Sequence, residues 1–134
     1  KSMFDTSMRV LVIDDMRTMR KLVTKACNFV GFQDVIQAED GQLAWTALNE
    51  SDVPVGLIVS DWNMPNCTGL ELLKRVRADG RFKDLPFVML TAESEAAQVQ
   101  DAVVAGVSNY IIKPFNNEIF KQKLEETYKK IAAA

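Results

Sequence analysis

The sequence predicts a three-layer α/β sandwich, a five-stranded parallel sheet covered by helices on both faces. Two observations carry that prediction. Five short apolar runs are mostly continuous rather than alternating, as in strands buried on both faces. Between them lie segments whose apolar residues recur at helical spacing, each stripe wide enough to cover a sheet face. Strand and helix therefore alternate five times. Parallel neighbours need crossover connections, and helices supply these in right-handed form.

The first strand is Val10-Leu11-Val12-Ile13. The helix after it carries Met19, Leu22, Val23, Ala26, Cys27 and Val30 at offsets of 0, 3, 4, 7, 8 and 11. Gly31 stands just past its end, where a left-handed residue is wanted. Val35-Ile36 is the second strand, and Asp40-Gly41 opens a helix marked by Leu43, Ala44, Ala47 and Leu48. Leu57-Ile58-Val59 is the third strand. Thr68-Gly69-Leu70-Glu71 fits a capping box for a helix carrying Leu72, Leu73 and Val76. Phe87-Val88-Met89-Leu90 is the fourth strand, followed by Val99, Ala102 and Val103 on a helix that Gly106 closes. Tyr110-Ile111-Ile112 is the fifth, and Phe120, Leu124, Thr127, Tyr128 and Ile131 mark the last helix.

Composition sets the outer limits. A chain of 134 residues, 48% hydrophobic and 25% charged, has the size and balance of one globular domain. The reading is a single domain over 8–131, with 1–7 and 132–134 as unstructured extensions. A net charge of −2 provides no bulk field for nucleic acid or an anionic membrane. Neither a transmembrane run nor a signal-peptide pattern is found. Cys27 and Cys67 lack metal or redox spacing, and Cys27 reads as a small core residue. A reduced, cytoplasmic setting is expected. Histidine is absent, which excludes an imidazole base, an imidazole metal ligand and a phosphohistidine on this chain. Chemistry here falls to carboxylates, hydroxyls, lysine or backbone.

Those groups follow the apolar runs. The first strand ends in Asp14-Asp15, the third in Ser60-Asp61, the fourth in Thr91 and the fifth in Lys113-Pro114. In open α/β sheets, ligands bind beyond the carboxyl ends of the strands. Each residue also has a plain reading alone: Asp15 as a helix cap, Asp61 as a loop acid, Thr91 as a turn residue, Lys113 as a solvated charge. Together they place three carboxylates, a hydroxyl and an ammonium on one edge. Carboxylates so packed repel one another unless a cation intervenes, and Mg²⁺ favours carboxylates, waters and a substrate oxygen. An aspartate left partly free can form an acyl phosphate, with Thr91, Lys113 and the metal stabilising the transferring group.

Val12-Ile13-Asp14-Asp15, Asp61-Trp62-Asn63-Met64-Pro65, Leu90-Thr91-Ala92-Glu93 and Tyr110-Ile111-Ile112-Lys113-Pro114-Phe115 strongly resemble the receiver domain of two-component response regulators, especially single-domain chemotaxis members. The resemblance runs from about Met8 to Ile131. It implies the flavodoxin-like strand order 2-1-3-4-5, which periodicity cannot supply. It implies that Asp61 accepts the phosphoryl group from a histidine kinase. Asp14, Asp15, Asp61 and the Asn63 carbonyl would hold Mg²⁺. Thr91 and Lys113 would contact the phosphoryl oxygens, with a cis peptide at Lys113-Pro114. Thr91 and Tyr110 would form the switch, although Tyr110 also reads as a core strand aromatic. Trp62, Asn63, Glu93 and Pro114 would modulate the site, Trp62 having a second reading as a partly exposed hydrophobe. Such a protein catalyses only its own phosphoryl transfer and autodephosphorylation.

As implied partners, the resemblance names the kinase, a phosphatase, and a flagellar motor switch protein or other output protein docking on the helix 4–strand 5–helix 5 face. A monomer is expected. Two departures stand out. Thr68-Gly69 replaces the family's usual Asp-Gly, and Glu95, Ala96 and Ala97 stand where close chemotaxis relatives carry lysines, while Lys123 persists. Two other readings are a stand-alone phosphorelay intermediate or phosphate sink, and a Mg²⁺-dependent phosphohydrolase with an aspartyl-phosphate intermediate. The latter would want a second acid two residues after the nucleophile, where this chain has Asn63. No GxGxxG follows the first strand, against a dinucleotide fold.

Overall fold

The computed structural model describes residues 3–92 and 96–134. Its elements are β1 (Arg9–Ile13), α1 (Arg17–Val30), β2 (Val35–Ala38), α2 (Gly41–Glu50), β3 (Val55–Asp61), α3 (Gly69–Ala78), β4 (Phe87–Ala92), α4 (Ala96–Val104), β5 (Asn109–Lys113) and α5 (Asn117–Ala133). All strand pairings are parallel, in the order β2-β1-β3-β4-β5. The expected three-layer architecture is what forms.

Alternation along the strands builds two cores. Val10, Val12, Leu57, Val59, Val88, Leu90 and Ile111 face Val23, Ala26 and Cys27 of α1 and Phe120 and Leu124 of α5. Leu11, Ile13, Ile58, Phe87 and Met89 face α2, α3 and α4 through Ala44, Leu48, Leu72, Leu73, Val76 and Ala102. Each fully buried Phe or Leu contributes about 1.5–3 kcal/mol of transfer free energy, so both faces must be covered for the sheet to persist. Cys27 sits in this packing as expected, and burial pushes its thiol up to about 12, which leaves it inert.

The local signals in the sequence act as read. Gly31 and Gly106 adopt φ of 125° and 93°, and the α3 capping box is complete. Asp40 caps α2 by accepting from the Leu43 N–H at 2.8 Å, and this bond holds its carboxyl below the ordinary aspartate value. A depressed carboxyl contributes stability above its unfolded pKa and loses it as pH falls through the folded one. Asp40→Ala is therefore expected to cost about 1 kcal/mol at pH 7. Urea midpoints should show the difference shrinking as acidity passes the aspartate range.

Three details differ from the sequence reading. Leu22, Leu43 and Val103 lie on their predicted stripes yet are largely exposed, because each occupies the edge of its stripe and Val23, Ala44 and Ala102 take the contact with the sheet. The N-terminal extension is not featureless: Phe4 is buried and meets Tyr128 edge to face at 5.2 Å. At the other end α5 continues through Ala132 and Ala133.

Candidate functional site

The register of the sheet assembles the site. Ile13 pairs with Ser60, so the next residues, Asp14 and Asp61, emerge side by side at the centre of the sheet. Asp61 pairs with Leu90, which sets Thr91 one step beyond on β4, and Thr91 pairs with Ile112, one residue before Lys113. Four strands thus converge on one edge, as their sequence endings indicated.

Asp14 is buried at 1% exposure. Its Oδ1 accepts from the Met16 N–H at 2.9 Å, while Oδ2 is buried and receives no hydrogen bond. The α1 N-cap position belongs to Met16 and has no side-chain cap, so Asp15 does not cap that helix. Asp15 is exposed and instead joins Asp14 and Asp61, one carboxylate oxygen from each lying within 4.8 Å of the others. The Lys113 ammonium lies 2.8 Å from Asp61 Oδ1 and 3.5 Å from Asp14 Oδ2. Burial pushes the Asp14 carboxyl above its ordinary value. The Asp61 and Asp15 charges act in the same direction, and the Met16 N–H and Lys113 oppose them. One ammonium among three carboxylates leaves an excess of negative charge. Oxygen donors, that excess and an orphaned buried oxygen fit a hard divalent cation, so the acidic cluster can hold a metal.

The Thr91 hydroxyl is buried beside this group and lacks a hydrogen-bond partner, which leaves it able to donate to an incoming oxyanion. Trp62 is buried, not partly exposed, and Asn63 is exposed. Lys113-Pro114 is cis. Tyr110 is half-buried against the α2–α3–α4 core, with the Lys123 ammonium 5.2 Å over its ring. Glu93 and Glu95 lie outside the described residues. Thr68, in place of the usual acid, keeps its cap: its Oγ1 accepts from Glu71 N at 3.1 Å, and Glu71 Oε1 accepts from Thr68 N at 2.9 Å.

Two supporting residues escaped the sequence reading. Arg20 Nη1 donates to the Asp14 carbonyl at 2.8 Å and its Nε donates to Gln37 at 3.3 Å, steadying the turn that carries two of the acids. An arginine with no acid at helical spacing beside it offers no sequence signal for this. Gly69, read as part of a capping box, also donates its N–H to the Trp62 carbonyl at 2.8 Å. A Cβ there would stand 2.3 Å from the Asp61 carbonyl oxygen.

The sequence profile of the response regulator receiver domain matches residues 10–125. The chain belongs to this family. As a receiver domain it is a signalling protein of two-component systems rather than a conventional enzyme. It is 45% identical to chemotaxis protein CheY1 of Helicobacter pylori over 118 residues, 88% of this chain and 94% of that one. It is 39% identical to chemotaxis protein CheY of Pseudomonas aeruginosa, covering 92% and 98% of the two chains. Among solved structures, chemotaxis response regulator CheY4 of Vibrio cholerae superposes with a TM-score of 0.80 at 31% identity, over 90% of this receiver domain and 98% of that chain. These relatives support a chemotaxis response regulator. No helix among the described residues is long and apolar enough to cross a membrane.

Proposed function

We propose that this receiver domain is a phosphorylation-activated switch controlling the flagellar motor in chemotaxis, with Asp61 as phosphoacceptor. The observation that carries the reading is the Lys113–Asp61 ion pair set within three converging carboxylates. An Asp61 carboxylate oxygen attacks the phosphorus of a phosphohistidine on a separate kinase. A P–O bond forms, the P–N bond breaks, and the leaving imidazole takes a proton. Lys113, already beside Asp61, stays to neutralise the phosphoryl oxygens, and the Thr91 hydroxyl turns to donate to one of them. Asp14, Asp15, Asp61 and the Asn63 carbonyl would hold Mg²⁺, which when bound would offset the charge of the phosphoryl oxygens. Water later hydrolyses the acyl phosphate, assisted by a phosphatase, with Trp62, Asn63, Glu93 and Pro114 tuning the lifetime.

Phosphorylation adds about −1.5 to −2 charge and three acceptor oxygens. Moving a switch from 1:99 to 99:1 needs about 5.5 kcal/mol, more than one new hydrogen bond supplies. Thr91, Lys113 and the repacking of Tyr110 must therefore act together. The output surface is the α4–β5–α5 face, where exposed Ile112 and Ile119 line a groove together with Tyr110 and Lys123. It receives the motor switch protein, and the receiver works as a cytoplasmic monomer.

The test uses acetyl phosphate and Mg²⁺ with Trp62 fluorescence and intact mass as readouts. Wild-type protein is expected to gain one phosphoryl group and change fluorescence, and EDTA or Asp61→Asn is expected to remove both effects. A response that survives Asp61→Asn would remove Asp61 from the acceptor role.

A further inference from the structure

The loop joining β3 to α3, residues 62–68, is fastened to the start of α2 as well as to its own ends. Asn66 has φ 67°, a left-handed conformation that Asn tolerates, and its Nδ2 donates to Asp40 Oδ2 at 3.0 Å. The other Asp40 oxygen caps α2, so one carboxylate serves helix and loop together. Beside it the Gly41 N–H donates to the Cys67 carbonyl at 3.2 Å. A Cβ on Gly41 would lie 2.6 Å from that same carbonyl oxygen, so the contact needs glycine. Two consecutive residues, the N-cap Asp40 and the first α2 residue Gly41, thus grip two consecutive residues of the loop. At the strand end, Gly69 holds the Trp62 carbonyl. Asn63 lies in the span between these two anchors, and Met64 beside it is buried.

We propose that the Asn66–Asp40 hydrogen bond positions the main chain at Asn63 for a divalent cation, making Asn66 a positioning residue of the acidic site. The inference rests on the metal reading above. A main-chain carbonyl serves as a ligand only if its loop is already ordered, and removing a partner outside the ligand shell typically weakens metal binding by about 10–100-fold. Asn66 acts through the backbone, three residues from the carbonyl it orients. Neither local sequence preference nor core burial explains why an exposed asparagine in a left-handed turn should aim its amide at the cap of a different helix.

Mg²⁺ titration of the full chain, followed by tryptophan fluorescence and by the shift in thermal midpoint, tests this. Asn66→Gly keeps the left-handed backbone and removes the amide. Asp40→Ser keeps a capping side chain too short to reach Asn66. Both are expected to raise the Mg²⁺ Kd about tenfold while leaving the protein folded in EDTA. The exchange Asp40→Asn with Asn66→Asp restores donor and acceptor in reverse, preserves the cap and leaves net charge unaltered. It is expected to bind within about twofold of wild type, the pair acting as a unit. A merely structural tether would lower the thermal midpoint in EDTA without moving Kd, and that result overturns the proposal. So does an exchange variant that binds as weakly as the single ones. A wild type that fails to bind Mg²⁺ refutes the metal reading itself, and the tether with it.

Discussion

Asp14→Asn is expected to make the metal-free protein more stable while removing its response to phosphodonor. Asp14 is almost wholly buried, its Oδ2 receives no hydrogen bond, and Lys113 sits closer to Asp61 than to it. The wild type therefore carries a charge it can neither solvate nor fully pair. Asparagine keeps the shape and the acceptor for the Met16 N–H while discarding the charge. Urea unfolding in EDTA at pH 7 should show a gain of about 1–2 kcal/mol. The sign with pH is opposite to ordinary acid denaturation. A carboxyl raised by burial favours the folded state while protonated, so its contribution is lost as pH climbs from the ordinary aspartate value through the raised one. The variant should lack this loss. Saturating Mg²⁺ inverts the ranking, since a cation at 100 times its Kd stabilises the wild type by about 2.7 kcal/mol and has lost a ligand in the variant. If the two urea midpoints keep the same order with and without Mg²⁺, Asp14 is not a ligand.

Gly69→Ala is expected to be strongly destabilising although it adds a single methyl group. By helix propensity alone, alanine should improve α3 by up to about 1 kcal/mol. The added carbon would stand 2.3 Å from the Asp61 carbonyl oxygen, 2.8 Å from Met89 Sδ and 3.1 Å from the Trp62 Cα. Two of these three atoms are backbone, at the point where β3 delivers Asp61 to the site. Relief requires moving either the strand end or the helix, so a loss of about 3 kcal/mol or more is expected. The molecules that fold should also accept phosphoryl groups slowly. Gly80→Ala supplies the comparison: a Cβ there meets nothing within 4 Å, and its effect should stay within about 0.5 kcal/mol. Equal urea midpoints for the two variants would show that α3 can retreat from β3 without strain.

What the sequence could reveal follows from the geometry of a parallel sheet. Asp14, Asp61, Thr91 and Lys113 were legible because each closes a continuous apolar run, and in-register strands bring such endings to one edge. The strand order itself came from resemblance, since no local pattern says that β1 lies between β2 and β3. Asn66, Arg20 and the second role of Gly69 were not legible. Each works across a gap in the chain, as Asn66 does in reaching Asp40 26 residues away, and none alters a periodicity or completes a short motif. Phe4 was hidden for a different reason. A lone aromatic in a polar lead-in looks unstructured until Tyr128 is found beside it. Leu22, Leu43 and Val103 show the reverse error, in which periodicity marks a face wider than the sheet can cover.

The strand order places β5 at the edge of the sheet, hydrogen-bonded on one side alone, while β1 and β3 are flanked on both. Asp14 and Asp61 thus stand at the ends of central strands, which are expected to exchange their amide hydrogens last, and Lys113 and Tyr110 on an edge strand, expected to exchange earlier. A sub-global opening of β5 would strip the phosphoacceptor of its ammonium and the output face of its aromatic in one event, with the central strands intact. Such an opening would make the resting protein reversibly incompetent at a cost below that of global unfolding, and anything that clamps β5 would raise the fraction of molecules ready to react.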